Sequence, residues 1–395
     1  KTTLKFLYLI FYLYLSAIKR KYNFIMAKIC CFFNYPPHYR YPIYKAMSDN
    51  FDCDFYFGDS VFEPLKSFDV KDLKGFKGYL HAVKTKFKGY IWYTGCLKLL
   101  RCKYDYYILT GENLIIPNWI ILLWAKLTRK KVFFWTHGLH QKMTKKTTIF
   151  VCRLFYCSAD ILLMYNNYNW KYMVELGCES NKLRTIHNSL DTSLQSSVFK
   201  DLKTSNLYQE HFGNDDPVVI YIGRIQKRKK VEQILEAMAL AQKQGFYFNL
   251  VLVGEKTNVE SEIFVLMEKY GLSNRTWFYG PCFDENINAQ LLFDASVCVC
   301  PAAVGLTAIH ALSYGCPVVS NDNVETQMPE FESIVEGKTG SLFKENDIED
   351  LVEKIKYWCS LSQKQRTHTR VIARQLILSE WSVDYQIQVL KSLLK

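Results

Sequence analysis

Short, nearly continuous apolar runs alternate along the chain with longer amphipathic stretches. Apolar runs without polar alternation suit strands buried on both faces, and such strands belong to parallel sheets. In the first half, runs at 27–33, 53–57, 106–109, 132–135 and 161–165 predict strands. Apolar positions at helical spacing predict helices over 42–48, 117–128, 147–157 and 170–176. The alternation restarts with strand 217–222, helix 230–244, strand 249–254, helix 260–271, strand 276–279, helix 287–293 and strand 296–300. A helix from near Gly305 and a strand from Pro317 follow. This repetition is α/β architecture.

Between the two runs, residues 190–216 are polar and rich in Ser and Asp, which reads as a linker. The expected organisation is an N-terminal α/β domain over 26–200, a C-terminal one over 201–378, and an amphipathic helical tail over 379–395. No internal repeat is visible.

A chain of 395 residues has room for two domains that each bury a core. Its charge is uneven. Residues 1–200 carry 30 Lys and Arg against 13 Asp and Glu, whereas residues 201–395 carry 20 against 25. The basic half favours an anionic partner, such as phospholipid or a lipid-diphosphate-linked sugar. Nucleic acid is the competing partner, but no motif for it is present, so none is expected. The 13 cysteines show no CxxC pair and no zinc spacing. Cys30, Cys31, Cys298 and Cys300 lie inside apolar runs, as small hydrophobes do. This predicts free thiols, a reducing cytoplasmic compartment and no structural metal.

Residues 1–25 contain an apolar run at 4–18, broken by Lys5 and Ser16 and followed by Lys19, Arg20 and Lys21. It is shorter than the ~20 residues a membrane span needs. No small-residue cleavage site follows it. Met26 directly precedes the first strand. The readings are upstream sequence, an interfacial anchor helix and, third, a span.

Two stretches carry anion chemistry. Tyr221-Ile-Gly-Arg-Ile-Gln-Lys-Arg-Lys-Lys230 is a strand running into cations. Pro301-Ala-Ala-Val-Gly-Leu-Thr-Ala-Ile-His310 joins a buried strand to a helix through a turn of small residues. Backbone N–H groups of Gly305, Leu306 and Thr307 at that helix start would face the turn, where the helix dipole favours a phosphate. Two such devices at strand ends of one domain predict a diphosphate ligand.

On these motifs, residues 217–343 resemble the C-terminal domain of GT-B glycosyltransferases of the family 4 type, the glycosyl transferases group 1. The resemblance implies two Rossmann-like domains facing each other across a cleft. The first would take the acceptor, the second the nucleotide-diphosphate sugar, and the last helix would cross back onto the first domain. The resemblance is strong in the second half and weak in the first.

The family's Gly-Arg is matched by Gly223-Arg224, and Lys229 falls at the Lys of its Lys-Gly pair. Lys230 replaces that Gly, so Lys227, Arg228 and Lys230 compete with Lys229. Fixed cations suit a leaving group that gains negative charge. The family's two glutamates, eight positions apart, fall here on Ala302 and His310. The second normally binds ribose hydroxyls, which a His can also do. The first carboxylate is lost, and its sugar contacts with it. Trp135-Thr-His137-Gly138 resembles the His-Gly that contacts the donor sugar near the reacting carbon, with His140 as a rival. Gly254 resembles a turn near the base, with Lys256 in place of a second Gly, and Tyr279-Gly-Pro281-Cys282 resembles the turn whose backbone reads the base. Asn188-Ser-Leu-Asp191 resembles the Asn-x-x-Asp that closes the first domain.

Asn34-Tyr-Pro-Pro-His-Tyr-Arg40 replaces the usual Gly-rich first loop, and its His38 and Arg40 suit an acceptor. Lys142, Lys145 and Lys146 suit a lipid diphosphate, an anionic membrane or plain solvation. Asp52 and Asp54 open a strand and read as a solvated pair, not a metal motif.

The expectation is a hexosyltransferase-like, retaining enzyme without metal or cofactor, because protein cations and helix dipoles offset the leaving-group charge. Its acceptor would be a glycan or lipid-linked, in surface polysaccharide assembly of the bacterial type, at the inner membrane face. The rivals are a non-catalytic subunit of a glycan-assembly complex and a sugar-nucleotide 2-epimerase. The latter needs carboxylates for proton abstraction, which the motif lacks.

Overall fold

The first sheet is eight-stranded, in the order β4-β3-β2-β1-β5-β6-β7-β8. Its strands are β1 Lys28–Phe33, β2 Asp52–Gly58, β3 Phe76–Lys84, β4 Ile91–Thr94, β5 Tyr106–Thr110, β6 Lys131–Thr136, β7 Ile161–Met164 and β8 Leu183–Thr185. Every pairing is parallel except β3 with β4. The second sheet is six-stranded and parallel, in the order β11-β10-β9-β12-β13-β14. It comprises β9 Val218–Ile222, β10 Asn249–Val253, β11 Thr276–Gly280, β12 Val297–Cys300, β13 Val318–Asn321 and β14 Gly340–Phe343. This computed structural model describes residues 27–59, 67–86, 89–101, 104–139, 145–255 and 260–394. The apolar run at 4–18, His140, Lys142 and Lys256 lie outside the described residues.

Helices of the first half are α1 Tyr41–Asn50, α2 Ile116–Thr128, α3 Lys146–Cys157 and α4 Asn167–Glu175. Then come α5 Thr192–Asp201, α6 Leu207–Phe212, α7 Glu232–Lys243, α8 Glu260–Tyr270, α9 Glu285–Asp294 and α10 Leu306–Ser313. Last are α11 Ile348–Cys359, α12 Gln363–Glu380 and α13 Val383–Leu393. Two expectations are corrected. The polar stretch 190–216 is no plain linker, because it contains α5 and α6. Its Asp191 caps α5 by accepting from the Leu194 N–H, a role that suits Asp better than open chain does. Free thiols throughout are also corrected. Cys157 at the end of α3 and Cys178 beyond α4 form a disulfide, their Cα atoms 5.0 Å apart.

The tail helix α13 packs against the first domain. Val383, Ile387 and Leu390 share a core with Ile43, Tyr44 and Met47 of α1. Gln386 donates to the His187 carbonyl (2.9 Å) and accepts from the Ser189 hydroxyl (2.7 Å), and the Tyr385 hydroxyl donates to the Thr185 carbonyl (3.1 Å). The chain between the domains is therefore held at one point by its own C-terminus. His187 sits there with φ 56°, its ring 3.9 Å from that of Trp381.

Burial holds the His187 imidazole down at about 4, against an ordinary 6.5. Between pH 6.5 and 4 the unfolded chain takes up a proton that the folded chain refuses. Stability should therefore fall on acidification in this window, by up to about 1.4 kcal/mol per pH unit from this group. His187→Asn, which tolerates positive φ, should flatten that slope in urea titrations across the window. An unchanged slope would remove His187 as its source.

Candidate functional site

Ligands of open parallel sheets bind beyond the strand C-termini where the strand order reverses. In the second sheet that point lies between β9 and β12, which are neighbours although β10 follows β9 in the chain. The loop after β9 carries Gly223, Arg224, Arg228 and Lys229, and the turn after β12 carries Ala302 to Gly305. Together with Leu306, Thr307 and Tyr221 they line a cavity of about 460 Å³. That volume suits a small-molecule ligand.

The turn is braced from both sides. The Lys229 ammonium donates to the Ala303 carbonyl (2.7 Å). The Val304 N–H donates to the Gln327 side chain (2.8 Å), whose amide donates to the Ser320 hydroxyl (2.9 Å) and the Asn321 carbonyl (2.8 Å). The Thr307 hydroxyl ties α10 to β9 through the Ile222 carbonyl (3.1 Å). Gly305 caps α10 at the cavity wall without a side-chain cap hydrogen bond.

Burial pushes the Lys229 ammonium down, and neighbouring Arg228 and Arg224 add to the effect. Three cations crowded at one wall are the electrostatic complement of a polyanion. The competitors are separated by geometry. Lys230 takes the left-handed φ of 50°, where the family motif has Gly, and turns away to pair with Glu345 (3.2 Å) and Asn346 (2.8 Å). Lys227 is exposed and does not line the cavity.

The first sheet mirrors this arrangement. Its order reverses between β1 and β5, and residues beyond β1, β5 and β6 line a second cavity of about 210 Å³. His137 follows β6 there, its ring 4.3 Å from that of Tyr165. Arg40 is buried, donates to the Tyr165 hydroxyl and stands 5.1 Å from the ring centroids of both Trp135 and Tyr165. Glu112 faces the same space, its carboxyl pushed up by desolvation. Tyr39, Asn188, Met328 and Glu330 line both cavities and make them one cleft.

Of the residues singled out in the sequence, Gly223, Arg224, Lys229, Gly305, Leu306 and Thr307 meet at the first cavity, and His137 and Arg40 at the second. Others do not join them. His310 does not line the cavity. Its Nε2 lies 3.1 Å from the Glu285 carboxylate at the start of α9, which also accepts from the Tyr314 hydroxyl (2.6 Å). Gly254 packs behind the loop after β9, Pro281 is exposed beyond β11, and His38 is exposed on the short turn before α1. Lys142 lies outside the described residues. The cleft residues that sequence reasoning missed as site members are Tyr39, Glu112, Tyr165, Asn188, Met328 and Glu330. The sequence clue to Glu330 was its place in the loop following a buried parallel strand.

Residues 204–375 match the family model of glycosyl transferases group 1. That stretch of the chain is similar to group 1 glycosyl transferases. Among curated proteins, it is 24% identical over 262 residues to an uncharacterized 41.2 kDa protein in the cps region of Klebsiella pneumoniae, covering 64% of this chain and 67% of that protein. It is 23% identical over 247 residues to the capsular polysaccharide biosynthesis glycosyltransferase CapM of Staphylococcus aureus, covering 58% of this chain and 62% of CapM. The chain thus spans about two thirds of the length of these relatives. Among solved structures, Anabaena HepE in complex with UDP superposes with a TM-score of 0.69 at 16% identity, over 93% of this chain and 99% of HepE. The fold of the chain is GT-B.

Proposed function

We propose that this chain transfers a sugar from a nucleotide-diphosphate donor to a glycan or lipid-linked acceptor in polysaccharide assembly. One observation carries the reading. Arg224, Arg228, Lys229 and the uncapped start of α10 converge on one cavity at the switch point of the second sheet. Cations and a helix N-terminus fixed in advance stabilise the charge that develops on a departing diphosphate. A transferase built so works without a bound metal, and retention is part of the proposal. His137 faces the same cleft from the first domain, where it would position the transferred sugar. The family match and the name of CapM support the reading. The test is thermal-shift binding of the chain to UDP-, GDP-, ADP- and CMP-sugars without added metal. Stabilisation by one diphosphate sugar is expected. No stabilisation by any of them would favour the non-catalytic subunit.

The acceptor side would work against the inner membrane face. On the first domain, Leu123 and Leu127 of α2 and Phe150 and Leu154 of α3 are exposed beside Lys126, Lys145 and Lys146. The two helices pack through Trp119 and Phe155, whose rings lie 4.8 Å apart. Exposed apolar side chains and Lys on the same helices suit an anionic bilayer. No helix among the described residues is long and apolar enough to cross one. The chain should co-float with vesicles containing phosphatidylglycerol and not with phosphatidylcholine alone. Leu127→Glu with Phe150→Glu should cut flotation about a hundredfold or more, since each buried apolar side chain contributes on the order of 1.5–3 kcal/mol. Undiminished flotation of that variant would place the contact elsewhere.

A further inference from the structure

Glu330 lies in the loop after β13, 3% exposed, where the phosphate cavity opens onto the first domain. That loop is braced on the turn that contains Ala302, since its Gln327 side chain accepts from the Val304 N–H (2.8 Å). Its two carboxylate oxygens are treated differently. Oε1 accepts from the Asn188 amide (2.9 Å). Oε2 is buried and has no hydrogen-bond partner among the described residues. A buried acceptor left bare costs about 1–3 kcal/mol and calls for a ligand or another explanation.

Glu332, two positions on, shows what a structural carboxylate looks like here. Both its oxygens are taken by the N-terminus of α4, through the N–H groups of Asn167 (2.8 Å) and Tyr168 (2.6 Å). Glu330 is built for something that arrives. The arriving group must be a hydrogen-bond donor, and a phosphate would meet like charge. Burial pushes the Glu330 carboxyl up, and the Asn188 amide, Arg40 and Lys229, which flank it from the two domains, partly offset that and leave a carboxylate to accept from the ligand. A neutral polyol beside the diphosphate fits both requirements.

Resting on the donor-site reading above, we infer that Glu330 holds the transferred sugar, its Oε2 accepting from sugar hydroxyls in place of the carboxylate missing at Ala302. The contact belongs to the sugar alone, so it separates from nucleotide binding. The experiment is calorimetry of the full chain and of Glu330→Gln with UDP and with UDP-glucose. Where the panel selects another base, the corresponding nucleotide and its sugar replace them. Glu330→Gln should hold the free nucleotide within about twofold of the parent and bind the sugar nucleotide about tenfold or more weakly. Sugar-nucleotide affinity equal to the parent's would overturn the inference, and so would a parallel loss for both ligands. A parent chain that binds neither would overturn the donor-site reading itself, and the inference with it. Should Glu330→Gln not fold, Glu330→Asp keeps the charge, shortens its reach and reads the same ratio.

Discussion

Arg224→Ala is expected to lower kcat/KM about 10²- to 10³-fold and to leave the fold intact. Arg224 lines the cavity at the switch point, and among the described residues no ion pair to a carboxylate is formed by it. Removing it strands no partner, so the melting temperature should stay within about a degree or two. The local backbone is held by groups that alanine retains, because the Arg224 carbonyl accepts from the Tyr221 hydroxyl (2.9 Å). On the proposed function, what is lost is a planar, permanently charged fork at the departing diphosphate. Arg224→Lys should recover only part of the activity, since an ammonium is a point charge without the bidentate geometry. Calorimetry with the nucleoside diphosphate alone checks the assignment. Unchanged affinity in Arg224→Ala would mean that the diphosphate binds elsewhere. Lys229→Ala asks a different question, because it also removes the bond to the Ala303 carbonyl. Its loss should combine weaker binding with a looser turn.

The uneven legibility of this chain has physical causes. β1, β2, β5, β6 and β7 fall on continuous apolar runs because they are buried on both faces of a parallel sheet. β3 was not visible. It lies near the sheet edge, and its exposed Tyr79, His81 and Val83 mix polar and apolar groups on one face. The end of the cleft lined by Arg224, Lys229 and Gly305 was legible because backbone and cations at strand ends follow one another within short stretches. The far end was not. Glu330 meets Asn188 across 142 residues of chain, and no local pattern encodes such a pair. His310 fails for a related reason. Its place on α10 is readable, but which neighbour it meets depends on Glu285 of α9, 25 residues away. The carboxylates that do line the cleft come from distant loops, Glu112 beyond β5 and Glu330 beyond β13.

Gly254→Ala should be the most damaging substitution outside the cleft lining, costing about 3 kcal/mol or more. A Cβ at Gly254 would stand 1.9 Å from the Gly223 carbonyl oxygen and 2.8 Å from its carbon. Those atoms are backbone and cannot rotate aside. The strand ends are also coupled by hydrogen bonds, with the Gly223 N–H donating to the Val253 carbonyl (2.8 Å) and the Gly254 N–H to the Gly280 carbonyl (2.9 Å). The strain must therefore go into the loop after β9, which carries Arg224 and Lys229. For a domain of this size the expected fall in melting temperature is on the order of 5–10 °C. Nucleotide affinity should fall with it, because cations displaced by even 1 Å no longer meet the diphosphate. The pairing of the two effects is the test. Arg224→Ala loses binding without stability, whereas Gly254→Ala must lose both. A Gly254→Ala protein that melts normally would show that the β9 and β10 ends part more easily than their packing implies. One that loses stability yet binds the nucleotide normally would mean that the loop keeps its shape under strain, and that the cations rather than the glycine behind them define the site.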